Sequence, residues 1–198
     1  MDTKQIERRV LHPGACELRV ETKEGEPPKI KGYAAVFDKR SEDLGGWFET
    51  IAPGAFGESL KNGADVRALV EHDSRGLLGR NTAGTLKLKE DKTGLSVEID
   101  APDTTAGRDV VESIKRGDLS GMSFGFSTID DHWETQDGEE LRTLEAVELF
   151  DVSVVAYPAY PDTSVAVRSL EVWHKQNTEA PTPKLNLARL ELEEVDTA

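Results

Sequence analysis

The chain has a single cysteine, Cys16, among 198 residues, so no internal disulfide can form. One unpaired thiol suits a reducing compartment. No apolar run approaches the roughly 20 residues of a membrane-spanning helix. The N-terminal "MDTKQIERRV" lacks the apolar segment of a secretory signal, so export is not expected. Positive charge is scarce: 24 Lys and Arg stand against 38 Asp and Glu, a formal net charge of −14. That balance argues against a phosphate-binding surface, and no Lys/Arg cluster is visible in the sequence. Nucleic acid is therefore not an expected partner. The four histidines, His12, His72, His132 and His174, form no H-x-x-x-H pair, and one cysteine allows no C-x-x-C. No metal site and no cofactor are expected. No internal repeat is present.

What is present is alternation. "KIKGYAAVF" reads as a strand, and "FETIAPGAFGESLKNG" as a strand end followed by a short helix closed at Gly63. In "DVRALVEHD", Val66, Ala68, Val70 and His72 fall on one face of a strand. Leu86 and Leu88, then Leu95, Val97 and Ile99, alternate with polar residues on either side of "EDKTG", a hairpin turn. "DTTAGRDVVESIKRGD" predicts a helix with an N-cap at Asp103, Thr104 or Thr105. Its apolar stripe is Val110, Val111 and Ile114, and Gly117 supplies the stop. "SFGFS" alternates as a strand, "TQDGEE" turns, and "LRTLEAVELFDVSVVAY" returns as one or two strands ended by Pro158 and Pro161. Before this region a short strand near Glu17–Thr22 leads into a linker. Beyond Ser169, "NTEAPTPK" has linker composition and "LNLARLELEEV" can form a helix. The predicted divisions are 1–28, a main domain over 29–169, and an acidic tail over 170–198. The predicted class is α+β and mainly β, an antiparallel barrel or compact sheet with helices around it.

The chemistry concentrates in "DLSGMSFGFSTID", residues 118–130, where serines sit among large apolar residues. "GMSFG" fits G-x-S-x-G, but that elbow needs a strand before the serine and a helix after it. Here the order is reversed. The matching triad order would also require His132, beside a polar turn, or His174, in the tail. A different trio fits better: His72 at a strand end, Ser123 at a strand start, and Asp151 inside an apolar strand, where an unpaired carboxylate is costly. A serine hydroxyl needs a base that titrates near neutrality, and the imidazole needs an acceptor on its other nitrogen. Each residue also has a structural reading: a packed strand-end histidine, a small residue beside phenylalanines, a turn-bonding aspartate. Among the alternatives, Ser120 belongs to the helix-to-strand turn. Ser127 lies about 13 Å further along the strand than Ser123. Asp73 neighbours His72 but points to the opposite strand face.

The stretches "GYAAVFD", "ETIAPGAF", "ALVEHDSRGLLGRNTAGTLKL", "DLSGMSFGFS" and "ELFDVSVVAYPAYPDT" resemble, in this order, the tailed-phage (caudovirus) prohead serine proteases, which are related to the herpesvirus assemblins. The likeness covers roughly 29–169. It implies a β-barrel core surrounded by helices and an endopeptidase carried inside the immature capsid in the host cytoplasm. Such an enzyme cuts the scaffold, or the scaffold-like segment of the major capsid protein precursor, and often itself. The portal and further copies of the chain are additional implied partners, and no membrane is. Residue by residue, the likeness implies His72 as base, Ser123 as nucleophile and Asp151 as third member. One departure stands out: the paired arginines of the herpesvirus enzymes, which support the oxyanion, are missing from "YPAYPDT". That role is left among the Arg80 side chain and backbone groups near Ser123, those of Gly121 and Phe124 included. The alternative reading is a catalytically inactive capsid-assembly or scaffolding module of the same fold, binding through its acidic tail.

Overall fold

A computed structural model of the chain describes residues 6–11, 13–156 and 164–178. The chain divides into two compact units, Met1–Val165 and Ala166–Ala198. In the first, ten strands form two sheets: β1 (Glu7–Leu11), β2 (Arg19–Glu21), β3 (Lys29–Val36), β4 (Trp47–Ile51), β5 (Arg67–Val70), β6 (Asp73–Arg80), β7 (Leu86–Glu90), β8 (Gly94–Asp100), β9 (Gly121–Gln136) and β10 (Glu139–Val155). Among the described residues three α-helices accompany them, α1 (Pro13–Cys16), α2 (Gly57–Lys61) and α3 (Thr105–Arg116), with a 3-10 turn at Asn81–Ala83.

The smaller sheet runs β2-β3-β8-β7 and contains the predicted hairpin. Its turn is closed by Asp91, whose Oδ1 accepts from the backbone of Thr93 at 2.7 Å and Gly94 at 3.2 Å. The larger sheet runs β1-β9-β10-β5-β6, with β4 paired to β10 beside that path. β9 and β10 form one long antiparallel ribbon joined at Asp137 and Gly138, whose φ of 55° and 84° suit a two-residue hairpin turn. β10 is long enough to serve two short strands on its other edge. β4 pairs with its first half and β5 with its second, both in parallel.

The expected closed antiparallel barrel is therefore corrected. The fold is mainly β, but among the described residues it is two mixed-length sheets with free edges, and the larger one contains parallel pairs. Both sheets feed one core: Ile30, Leu95, Val97 and Ile99 from the smaller, Met122, Phe124, Phe126, Leu149, Val152 and Val154 from the larger. Phe124 is the hinge of an aromatic cluster, edge-on to Phe56 at 5.4 Å and stacked on Phe126 at 4.9 Å. Helix α3 forms as its pattern predicts. Thr104 Oγ1 accepts from Gly107 N–H at the N-cap, Val110, Val111 and Ile114 are buried, and Gly117 ends the helix at φ 83°.

Several segments, α1 among them, were not foreseen. β1 occupies a stretch with no alternating apolar residues, and β6 follows His72 directly. Helix α4 (Ser164–Thr178) continues where the tail was expected to begin. The helix predicted over 185–195 lies outside the described residues. No helix among the described residues is long and apolar enough to cross a membrane.

Candidate active site

The apparent clash of serine with phenylalanine in β9 resolves by period two. Residues Gly121 to Ser127 are all buried. Met122, Phe124 and Phe126 belong to the core cluster. Gly121, Ser123, Gly125 and Ser127 point the other way. On that second face Ser123 stands opposite Ser153 of β10, and Gly125 opposite Asp151. A register shift between Leu149 and Asp151 marks a bulge where the carboxylate enters the site.

His72 arrives from the next strand pair. It does not share a strand face with Val66, Ala68 and Val70 as predicted. Val70 of β5 pairs with Asp73 of β6, so Glu71 and His72 form a two-residue hairpin turn, with φ of 52° and 57°. Left-handed backbone at non-glycine residues is strained by about 1 kcal/mol or more each, and it persists when surroundings over-determine it. Here they do. Glu71 N–H donates to Val154 C=O at 3.0 Å, and Glu71 Oε1 accepts from Ala156 N–H at 2.6 Å. His72 N–H donates to Ser153 Oγ at 3.3 Å.

The turn thereby aims the imidazole along the second face of β9 and β10. His72 Nε2 lies 2.6 Å from Ser123 Oγ, and His72 Nδ1 lies 2.6 Å from Asp151 Oδ1. A carboxylate can only accept, so Nδ1 carries its proton toward Asp151. In the neutral ring Nε2 is then bare and faces the serine hydroxyl. That is the tautomer a general base requires.

Two residues of this arrangement were missed in the sequence. Ser153 Oγ donates to Asp151 Oδ1 at 2.8 Å, so one hydroxyl ties the carboxylate to the His72 backbone. Gly125 leaves room for the carboxylate: a Cβ built there would lie 2.3 Å from Asp151 Oδ2. The i+2 spacing of Ser123 and Gly125, and of Asp151 and Ser153, was the available signal, since it places each pair on one strand face.

The remaining candidates sort plainly. Asp73 is turned to Arg75, 2.8 Å away, and the carboxylate at His72 Nδ1 is that of Asp151. Arg80 is half-exposed and its guanidinium is paired with Asp65 at 2.6 Å, so it forms no bond with the triad. Gly121 lies two residues before Ser123 in β9, and Phe124 directly follows it. No group of metal-ligating side chains occurs among the described residues.

Beside the triad lies a second polar assembly. Strand β1 pairs with the free edge of β9, Arg9 opposite Phe124 and Val10 opposite Ser123. Glu7, Arg9, Glu49 and Arg142 are buried together. Arg9 forks onto Glu49 at 2.7 and 2.9 Å, and Arg142 reaches Glu7 at 2.9 Å, Glu49 at 3.1 Å and Asp131 at 2.6 Å. Burial opposes the ionisation of Glu7, but the hydrogen bond and charge of Arg142, with the Arg9 charge and the Thr128 hydrogen bond, together outweigh it and hold the carboxyl below its ordinary value.

A family model described as caudovirus prohead serine protease matches residues 16–178, most of the chain. The chain belongs to the caudovirus prohead serine protease family. It is accordingly a serine protease. It is 28% identical over 166 residues to the prohead protease of Enterobacteria phage HK97, covering 77% of this chain and 69% of that one. It is 27% identical over 183 residues to the prohead protease of Escherichia phage T5, covering 86% and 82%. Among solved structures, the capsid assembly protease gp21 of bacteriophage T4 aligns with a TM-score of 0.45 at 11% identity, over 75% of this chain and 98% of that one.

Proposed function

We propose that this prohead serine protease matures its phage capsid by cutting the scaffold, or the scaffold-like segment of the major capsid protein precursor, inside the immature shell, and that it also cuts itself. Ser123 is the nucleophile, His72 the general base and Asp151 the residue that holds His72. The observation that carries the reading is the chain of two 2.6 Å contacts, Ser123 to His72 to Asp151, in a chain of this family.

Catalysis follows from the geometry. Ser123 passes its proton to His72 Nε2 as its oxygen bonds to the scissile carbonyl carbon. The imidazolium that results is stabilised by Asp151 through Nδ1–H. Ser153 restrains Asp151, so the carboxylate does not turn away from the ring. His72 then returns the proton to the leaving amine, and water, activated by the same base, releases the acyl group from Ser123. With Arg80 committed to Asp65, backbone N–H groups beside Ser123 are the proposed oxyanion donors. Residues 29–169 carry this chemistry, and 170–198 form the acidic tail.

The test is cleavage of the cognate capsid precursor by purified protein, with Ser123→Ala as control. Cleavage by the native protein alone supports the reading. Equal cleavage by both, or by neither, refutes it. Mass spectrometry of protein recovered from proheads locates the cut sites and any loss from 170–198.

A further inference from the structure

Ser123 is fully buried, although a nucleophile must meet a substrate. Part of its cover is the chain itself. Ser123 Oγ lies 2.9 Å from the main-chain carbonyl oxygen of Arg9, which accepts the hydroxyl proton. A hydroxyl has one proton, so donation to Arg9 competes with donation to His72 Nε2. β1 thus holds a peptide carbonyl at the nucleophile in a pose that presents its oxygen rather than its carbon.

Three features make β1 resemble a bound peptide. It lies at the edge of its sheet and pairs with β9 in continuous register, Glu7 with Phe126 through Leu11 with Met122, as an added peptide strand does. It precedes residue 16, where the family match begins. Its charges are also detachable. Glu7 and Arg9 leave as a neutral pair, and Arg142 keeps Asp131 at 2.6 Å and Glu49 at 3.1 Å, so departure strands no buried ion.

Resting on the protease reading, we infer that β1 is a pseudosubstrate and that the side chains reading it set the cleavage specificity. Directly opposed strand residues share a face, so Arg9 projects with Phe124, away from the face that carries the Ser123 hydroxyl. There its guanidinium meets the two oxygens of Glu49 and lies 5.8 Å from the ring of Trp47 and 5.5 Å from that of Phe126. A carboxylate that binds the guanidinium in bidentate fashion, with two rings beside that guanidinium, selects arginine over lysine and over neutral residues. Two residues upstream, Glu7 is held by Arg142 and by Thr128 Oγ1 at 2.7 Å. The favoured substrate is an extended peptide with arginine at the carbonyl that is cut and an acidic residue two positions before it.

The experiment uses the full chain and fluorogenic peptides. One series has Glu-x-Arg before the scissile bond, one has the charges exchanged, and one has Gln at both places. Wild type is expected to cut the first at least about a hundredfold better in kcat/KM, the scale of losing a buried charge pair. Arg9→Gln, which loosens β1, is expected to cut it faster than wild type. Arg8→Gln, an exposed change on the same strand, is expected to match wild type. Because these comparisons lie in the peptides and on β1, they do not depend on a variant of the pocket folding. Equal cutting of the three series overturns the specificity, and an Arg9→Gln no faster than wild type overturns the pseudosubstrate. The capsid precursor is digested in parallel. Cuts at sites without the acidic-x-Arg pattern sink this inference and leave the protease reading intact. No cutting of precursor or peptide by any form removes both.

Discussion

Gly125 and Asp151 occupy the same space on paired strands: a Cβ on the glycine would stand 2.3 Å from the aspartate's Oδ2. That atom is the mobile end of a side chain, so the conflict is relieved by turning the carboxylate rather than by moving the sheet. Gly125→Ala should therefore fold but lose the His72–Asp151 contact. Its kcat should fall toward that of Asp151→Asn, about 10⁴-fold below wild type if Asp151 acts as in other triads. Circular dichroism and thermal unfolding should change little. A variant with near-native kcat would show that the carboxylate does not need its present position.

Ser153 supplies a narrower test. Its hydroxyl donates to Asp151 at 2.8 Å and accepts from the His72 main chain at 3.3 Å. Removing one hydrogen bond to a charged group is worth about 1.5–3 kcal/mol at most in a buried site. Ser153→Ala should thus lower kcat by roughly 10- to 100-fold with KM nearly unchanged, and Ser153→Thr should restore much of the loss. A change in KM alone would assign Ser153 to substrate binding.

The sequence disclosed the elements whose patterns are local. The Leu86–Ile99 hairpin and helix α3 follow from alternation, capping and a terminal glycine within a few residues of one another. Ser123, His72 and Asp151 were legible as residue types suited to one chemistry and by resemblance to a family. Their support was not. His72 sits in a left-handed turn held by Glu71, which bonds to residues more than eighty positions away, and no period-two pattern announces that. β1 was hidden because its buried residues are Glu7 and Arg9, which pattern reading assigns to solvent. They are inside only because Glu49 and Arg142 arrive from β4 and β10 to neutralise them.

Acid should weaken the smaller sheet through Glu98. Hydrogen bonds from Lys87 at 2.8 Å, Lys29 at 3.0 Å and the Lys31 charge hold its carboxyl down to about 2, from an ordinary 4.5. A lowered folded value means the stabilisation is complete above pH 4.5 and is lost as pH falls toward 2. Glu98→Gln should therefore have a lower melting temperature than wild type at pH 7 and the same one near pH 2. Thermal unfolding of both proteins across that range measures the convergence. A constant gap would mean that the carboxylate's charge is not what Lys29, Lys31 and Lys87 stabilise.

Ser123 and His72 should fail as a unit. The base has nothing to activate without the hydroxyl, and the hydroxyl is nearly inert without the base. In a comparable triad either loss alone reduces kcat by about 10⁶, and removing both adds little. Ser123→Ala, His72→Ala and the double variant should therefore share one residual rate within about tenfold, measured on a capsid-precursor peptide. Ser120→Ala and Ser127→Ala should keep most activity, since neither hydroxyl is the one 2.6 Å from His72 Nε2. All five should keep the native circular dichroism spectrum. Losses that multiply in the double variant would mean that Ser123 and His72 act independently. An active Ser123→Ala beside a dead Ser120→Ala would move the nucleophile to the turn before β9.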